Sequence, residues 1–168
     1  MIDFGFCFET RLAATAEAVW DHAMTIEGVN LELWPFARMT APPDLARLDA
    51  SSLPMGRRLL RSWILVFGFL PVDYDDLTFA ELTPGRRFLE RSPMLTQRLW
   101  EHEREVVPEA AGGCLVRDRV RFEPRSRLLG RLQLPVFRLV FRNRHRRLVA
   151  LFGLAPGARR LTSGEGQR

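Results

Sequence analysis

The sequence predicts an α+β fold: an antiparallel sheet of about six to seven strands, one long C-terminal helix, and two short helices directly after the first strand. Three observations carry this. Residues 58–123 break into five runs that alternate apolar with polar, separated by short turn signals. Residues 2–12 alternate in the same way, but helix signals follow them at once. After Pro135 the apolar period changes from two to about 3.6.

The elements follow in order. In "MIDFGFCFETRL", Phe4, Phe6 and Phe8 share one face, which makes a half-buried strand. Thr15 is a helix N-cap with Glu17 in the first turn. Val19, Trp20, Ala23 and Met24 then recur at helical spacing. Gly28 is expected to break this helix, and a second one over Val29–Leu33 ends before Pro35. Thr40–Gly56 holds three prolines and reads as a loop with at most one helical turn around Leu45. Five strands are expected over Arg58–Phe67, Val72–Leu82, Arg87–Ser92, Leu95–Val107 and Cys114–Glu123. The turns between them are short, which argues for an antiparallel meander. Pro124 stops the last strand. Phe137, Val140, Phe141, Arg144, Leu148, Leu151 and Phe152 form one helical stripe, and Gly153 is a C-cap. One domain over residues 1–153 is expected, with 154–168, rich in Gly, Ser and Arg, as a disordered tail.

Composition narrows the function classes. All 25 basic residues are Arg. Without Lys, Schiff-base chemistry and a Lys-dependent P-loop are excluded. A GC-rich genome accounts for the bias. The formal charge of +5 is uneven: residues 1–123 hold 14 Arg and 19 acids, whereas residues 124–168 hold 11 Arg and one acid. A basic C-terminal segment can attract phosphate or an anionic membrane surface, or dock on its own acidic body. A nucleic-acid reader would interleave exposed aromatics with these Arg residues. Phe137 and Phe141 instead lie on the stripe expected to be buried, so nucleic acid is disfavoured. No apolar run reaches the ~18 residues of a membrane span, no export signal is visible, and two cysteines read as reduced thiols in a cytoplasm.

Two strands pose the central question. Glu101, Glu103 and Glu105 share one parity of "LWEHEREVV", and Arg117, Arg119 and Arg121 share one parity of "CLVRDRVRF". These rows are expected to face solvent and pair across neighbouring strands. The opposite parities hold Trp100, His102 and Arg104, and Asp118, Val120 and Phe122. Three ionisable groups therefore point inward.

Four stretches bear a family resemblance: "ATAEAVWDHAM", "LTPGRRFLERSP", "LWEHEREVVPEAAGGCLVRDRVRFEPR" and "FRNRHRRLVALFG". From about Ile2 to Gly153 the chain resembles the START-like, or SRPBCC, superfamily, whose helix-grip fold curves a sheet around the long helix. The resemblance implies a cavity between sheet and helix that takes a small apolar or aromatic molecule. The superfamily spans lipid carriers, hormone receptors, aromatase/cyclases and oxygenase domains. Oxygenase members hold iron through two His and a carboxylate. Here His22, His102 and His145 fall on different elements, so no metal and no cofactor is assigned.

Within this frame two readings of the inward polar residues stand. A buried His, Arg and Asp can pair with one another, which offsets their desolvation. They can also line the pocket. The candidate ligand-binding residues are Trp63, Tyr74, Phe88, Glu90, Trp100, His102, Arg104, Asp118, Val120, Phe122, Phe141 and Arg144. His102, Asp118 and Glu90 are the candidates for acid–base work in an aromatase/cyclase- or dehydrase-type enzyme. Asp73, Asp75 and Asp76, around the only Tyr, read as a solvated turn. A small-molecule binder is the leading expectation, such an enzyme the alternative, and an adaptor or membrane-surface protein working through its Arg-rich helix the third.

Overall fold

The computed structural model describes residues 4–45, 48, 53–110 and 112–158, and the backbone of 162–164. Its eight strands form one antiparallel sheet, and β1 (Phe4–Leu12) stands between the last two strands in spatial order. β2 (Ala37–Met39), β3 (Arg58–Val66), β4 (Leu70–Thr83), β5 (Arg87–Ser92), β6 (Gln97–Pro108) and β7 (Cys114–Pro124) follow each other as a meander; β1 then pairs with β7, and β8 (Thr162–Gly164) with β1. The expected strands are all present within a few residues. The two three-residue edges, β2 and β8, are too short to show a period in sequence.

The helices correct the expected boundaries. α1 (Ala16–Ala23) begins at the Thr15 cap as read. The break falls earlier than Gly28: Thr25 caps α2 (Ile26–Leu33), and its hydroxyl accepts from the Gly28 amide at 2.9 Å. Gly28 is needed for close approach, since a Cβ there would sit 2.0 Å from the His22 carbonyl oxygen. α3 runs from Arg127 to Phe152, a full two turns earlier than the stripe indicates, with Pro135 inside it. Leu128, Leu132 and Val136 on this first half are exposed, so no buried face marks it in sequence. Pro43–Leu45 makes the single helical turn in the Pro-rich loop.

α3 packs across the concave face of the sheet, chiefly against β1 and α2. Asn143 ties it to α2 by donating from Nδ2 to the carbonyls of Glu32 (3.0 Å) and Trp34 (2.9 Å). One apolar core gathers Leu12, Val19, Trp20, Val106, Val116 and Leu148. A second gathers Phe6, Phe8, Trp100, Val120, Phe122 and Phe141. Beyond Gly153, Ala155 is buried and its amide donates to the Arg11 carbonyl at 3.1 Å; residues 159–161 and 165–168 of the expected tail lie outside the described residues.

On the convex face the two charged rows pair as the alternation indicates. Glu101 stands opposite Arg121, Glu103 opposite Arg119 and Glu105 opposite Arg117. Glu9 extends the ladder to β1 through Arg117, while Arg87 and Arg91 extend it to β5. Charged ladders of this kind keep a broad sheet face wetted while the opposite face is free to be apolar.

Candidate functional site

The inward polar residues converge between β6, β7, α2 and α3. Arg104 on β6 and Asp118 on β7 are register partners, and neither side chain has solvent exposure. Arg104 donates from Nε to Asp118 Oδ1 and from Nη2 to Oδ2, both at 2.7 Å. The same guanidinium donates from Nη1 and Nη2 to the two carboxylate oxygens of Glu32 on α2, each at 2.8 Å. Arg144 on α3 adds a bond from Nε to Glu32 Oε2 at 2.9 Å. His102 Nε2 donates to Asp118 Oδ1 at 2.9 Å and His145 Nε2 to Oδ2 at 3.0 Å, while His145 Nδ1 meets the Thr10 hydroxyl at 2.8 Å.

Two guanidiniums thus face two carboxylates, and the charges cancel. Burial would raise both acids, but Arg104 outweighs it and holds Asp118 well below the usual carboxylate range. Arg104 and Arg144 do the same for Glu32. Burial pushes His102 down in spite of Asp118, so its ring stays uncharged at neutral pH.

A second group of acids lies on β4 and β5. Asp75 and Glu90 are buried, in hydrogen-bonding contact with each other, and Ser92 donates to Glu90 Oε1 at 3.1 Å. Burial, and then the Asp75 charge, push Glu90 well above the usual range, while burial pushes Asp75 up to about 6. The pair therefore holds a proton to higher pH than free carboxyls do. His102 Nδ1 lies 3.7 Å from Glu90 Oε2, linking this pair to the inner network.

Asp75, Glu90, His102 and Arg144 line a cavity of about 430 Å³ between the sheet and α3. Its walls are mostly apolar: Met24, Val29 and Leu33 from α1 and α2, Ile64, Leu77, Phe79 and Phe88 from the sheet, and Phe137, Val140 and Phe141 from α3. The polar lining includes Asp73, Asp75, Glu90, Thr96, His102, Gln133 and Arg144.

The structure divides the twelve sequence candidates. Phe88, Glu90, Trp100, His102, Phe141 and Arg144 line the cavity. Arg104 and Asp118 are sealed behind it by their mutual bonds, and Val120 and Phe122 belong to the second core. Asp118 has no route to a ligand, which leaves Glu90 and His102 as the acid–base candidates that reach the cavity. Trp63 and Tyr74 lie on the opposite side of the sheet. Their parity carries Arg61, whose guanidinium bonds Asp76 at 2.7 and 2.8 Å and stacks 4.0 Å from the Tyr74 ring centroid. The inward parity of β3 is Leu60, Ser62 and Ile64, so the larger side chains there face out.

Three acids were missed. Glu32 sits in "IEGVNLEL", where neighbouring leucines give no hint that it is the buried one. Asp73 and Asp75 are in strand β4, buried, and not in a solvated turn. Asp73 is satisfied locally by the amides of Tyr74 and Leu95, at 2.8 and 2.9 Å, and by the Thr96 hydroxyl. Residues 73–77 alternate in burial but read Asp-Tyr-Asp-Asp-Leu, so the sequence carries no matching apolar alternation. Among the described residues no cluster of His, Cys, Asp or Glu is arranged to hold a metal ion.

Known structures share this architecture. A Chromobacterium violaceum protein is 14% identical with a TM-score of 0.67, over 89% of this chain and 97% of that one. A START superfamily protein from Mycobacterium smegmatis is 10% identical with a TM-score of 0.59, over 89% and 96%. The di-domain ARO/CYC protein StfQ of the steffimycin biosynthetic pathway is 10% identical with a TM-score of 0.60, over 89% of this chain and 50% of that one. No curated protein matches in sequence. At these identities the likeness is one of fold. A family model described as a domain of unknown function, DUF8410, matches residues 10–152. The chain therefore belongs to the DUF8410 family, and its fold is the helix-grip fold of the START-like superfamily.

Proposed function

We propose that this protein binds a small, largely apolar or aromatic molecule in the cavity between the sheet and α3. The observation that carries the reading is the cavity itself: about 430 Å³, walled mostly by aliphatic and aromatic side chains, with a few polar groups among them. That volume lies in the roughly 300–1,000 Å³ range of small-molecule sites, and a mostly apolar wall with a few convergent polar groups is their usual chemistry. The inner ion network supports the same reading, because it fixes α2 and α3 against the sheet without filling the space between them.

The test is the binding of N-phenylnaphthylamine, an uncharged fluorescent probe, to the wild type and to Val140→Trp. Val140 lines the cavity from α3. The wild type is expected to bind with enhanced fluorescence, and the variant to lose about tenfold or more in affinity while keeping its cooperative thermal transition. Equal binding by both proteins, or none by the wild type, overturns the proposal.

One observation favours a second reading, contact with an anionic membrane surface to load such a ligand. Phe67 and Phe69, at the β3–β4 turn, are 58% and 75% exposed, and Phe67, Val72, Val136 and Leu139 all lie at the cavity. Apolar side chains clustered at a pocket mouth, beside a helix with seven Arg and no acid, suit an anionic bilayer. No helix among the described residues is long and apolar enough to cross a membrane. Cosedimentation with anionic but not zwitterionic vesicles, lost in Phe69→Ser, supports this reading; absence of cosedimentation with either removes it.

A further inference from the structure

His102 is tied into the inner network through one ring nitrogen only. Nε2 meets Asp118 Oδ1 at 2.9 Å, and Arg104 holds that carboxylate ionised and in place with two bonds of 2.7 Å. An ionised carboxylate accepts and cannot donate, so the ring proton sits on Nε2 and Nδ1 keeps a bare lone pair. His145 gives the contrast. It meets the same carboxylate at 3.0 Å, but its Nδ1 takes the Thr10 hydroxyl at 2.8 Å. The protein uses both nitrogens of His145 and one of His102.

The unused nitrogen belongs to the cavity. His102 lines it with a side chain only 5% exposed. Its ring stands edge to face with Phe88 and Phe141, at centroid separations of 5.3 and 5.1 Å, and both of those rings are cavity wall. They fix the ring plane as Asp118 fixes the tautomer. Glu90 Oε2 faces Nδ1 at 3.7 Å, beyond hydrogen-bond reach. Nδ1 thus lacks a protein partner, but it is not sealed in. The unpaired side-chain atoms that are sealed, among the described residues, are His22 Nε2, Ser62 Oγ, Asp75 Oδ1 and Gln97 Oε1. The lone pair of His102 therefore opens on the space that a ligand would fill.

Resting on the cavity-binding reading above, we infer that His102 selects the ligand: Nδ1 accepts a hydrogen bond from a neutral hydroxyl carried on an apolar or aromatic body, and Asp118 is the positioning residue that presents it. A hydroxyl suits this site better than an ion does. The ring is uncharged and the wall mostly apolar, so an ammonium or carboxylate would leave water for little return. Arg144 also lines the cavity, but it already bonds Glu32 at 2.9 Å and is not free for a carboxylate. An ether or a ketone brings Nδ1 no proton.

Three probes on one naphthalene body separate the possibilities: naphthalenemethanol, its methyl ether and naphthylmethylamine, titrated calorimetrically into the full chain at neutral pH. The alcohol should bind about tenfold tighter than the ether, and tighter than the amine. His102→Gln keeps an amide donor for Asp118 and removes Nδ1. In it the alcohol should fall to within about threefold of the ether, whose own affinity holds. A measurement on the wild type needs no variant to fold. Long-range proton–nitrogen spectra of the ¹⁵N-labelled protein should show His102 as the Nε2–H tautomer, with the bare Nδ1 resonance moving upfield on adding the alcohol and much less with the ether. Equal binding of alcohol and ether, preference for the amine, or a proton already on Nδ1 overturns this assignment and leaves the cavity reading standing. Failure of all three probes in a folded protein overturns both.

Discussion

Arg104 and Asp118, opposite each other on β6 and β7, are joined by two 2.7 Å hydrogen bonds with neither side chain exposed to solvent. Two buried charges this close are weak evidence for net stability, because desolvation offsets most of their attraction. What the pair does is positional. Asp118 collects two histidines and Arg104 collects Glu32, so β1, β6, β7, α2 and α3 all meet at one point.

Removing one partner should therefore be severe. Arg104→Met leaves Glu32 and Asp118 buried and removes four of the seven hydrogen bonds their carboxylates accept. Urea unfolding should show a loss of about 3–5 kcal/mol. A loss under about 1 kcal/mol would mean that water reaches these carboxylates.

The cavity acids give stability a pH dependence of defined sign. Both have folded pKa values above their unfolded ones, so the ligand-free fold is favoured at low pH and loses stability as pH rises from about 4 through 6 and beyond. For Asp75, the rise from 3.8 to about 6 corresponds to about 2–3 kcal/mol at pH 8. His102 works in the opposite direction: its lowered pKa removes stability as pH falls below its ordinary 6.5. Thermal melts of Asp75→Asn against wild type isolate the acid contribution. The variant should be the more stable at pH 8 and nearly equal at pH 4; the reverse order would place Asp75 in contact with a cation of the protein.

The low-pH limb belongs to the inner network. Glu32 and Asp118 are held below their unfolded values, so their contribution is present above pH 4 and disappears as pH falls further. Urea midpoints of the wild type should fall as pH is lowered from 4 toward 2. A midpoint that holds or rises over that range would contradict the ion network.

The outer ladder should matter much less. Arg119 reaches Glu103 and Glu105, but its side chain is 48% exposed. Arg119→Ala should cost under about 1 kcal/mol and the difference should shrink in high salt. A loss several times larger, persisting in salt, would show that the convex face is not solvated.

The same contrast explains what could be read in sequence. Alternation placed six strands and both charged rows, because period two separates the faces wherever one of them is wet. It also turned His102, Arg104 and Asp118 inward. It failed on β3, where Trp63 is the larger residue but faces out with Arg61 and Tyr74, while the small Ser62 faces in. Near the sheet edge a bulky aromatic finds an edge-to-face partner outside the core, as Trp63 does in Tyr74. Glu32 could not be found, because its partners are 72 and 112 residues away along the chain. Asp75 was hidden by the company of Asp73 and Asp76, which looks polar when only one of its two parities is exposed.

The most direct test of the cavity is where a ligand lands. Met24, Met39 and Met94 line it, whereas Met55 does not and is 42% exposed. With ¹³C-methyl methionine labelling, titration with N-phenylnaphthylamine should shift the methyl signals of Met24, Met39 and Met94 together, with one saturating affinity, and leave Met55 in place. Movement of Met55 alone, or of no methionine while the probe binds, would put the ligand outside the cavity and contradict the account.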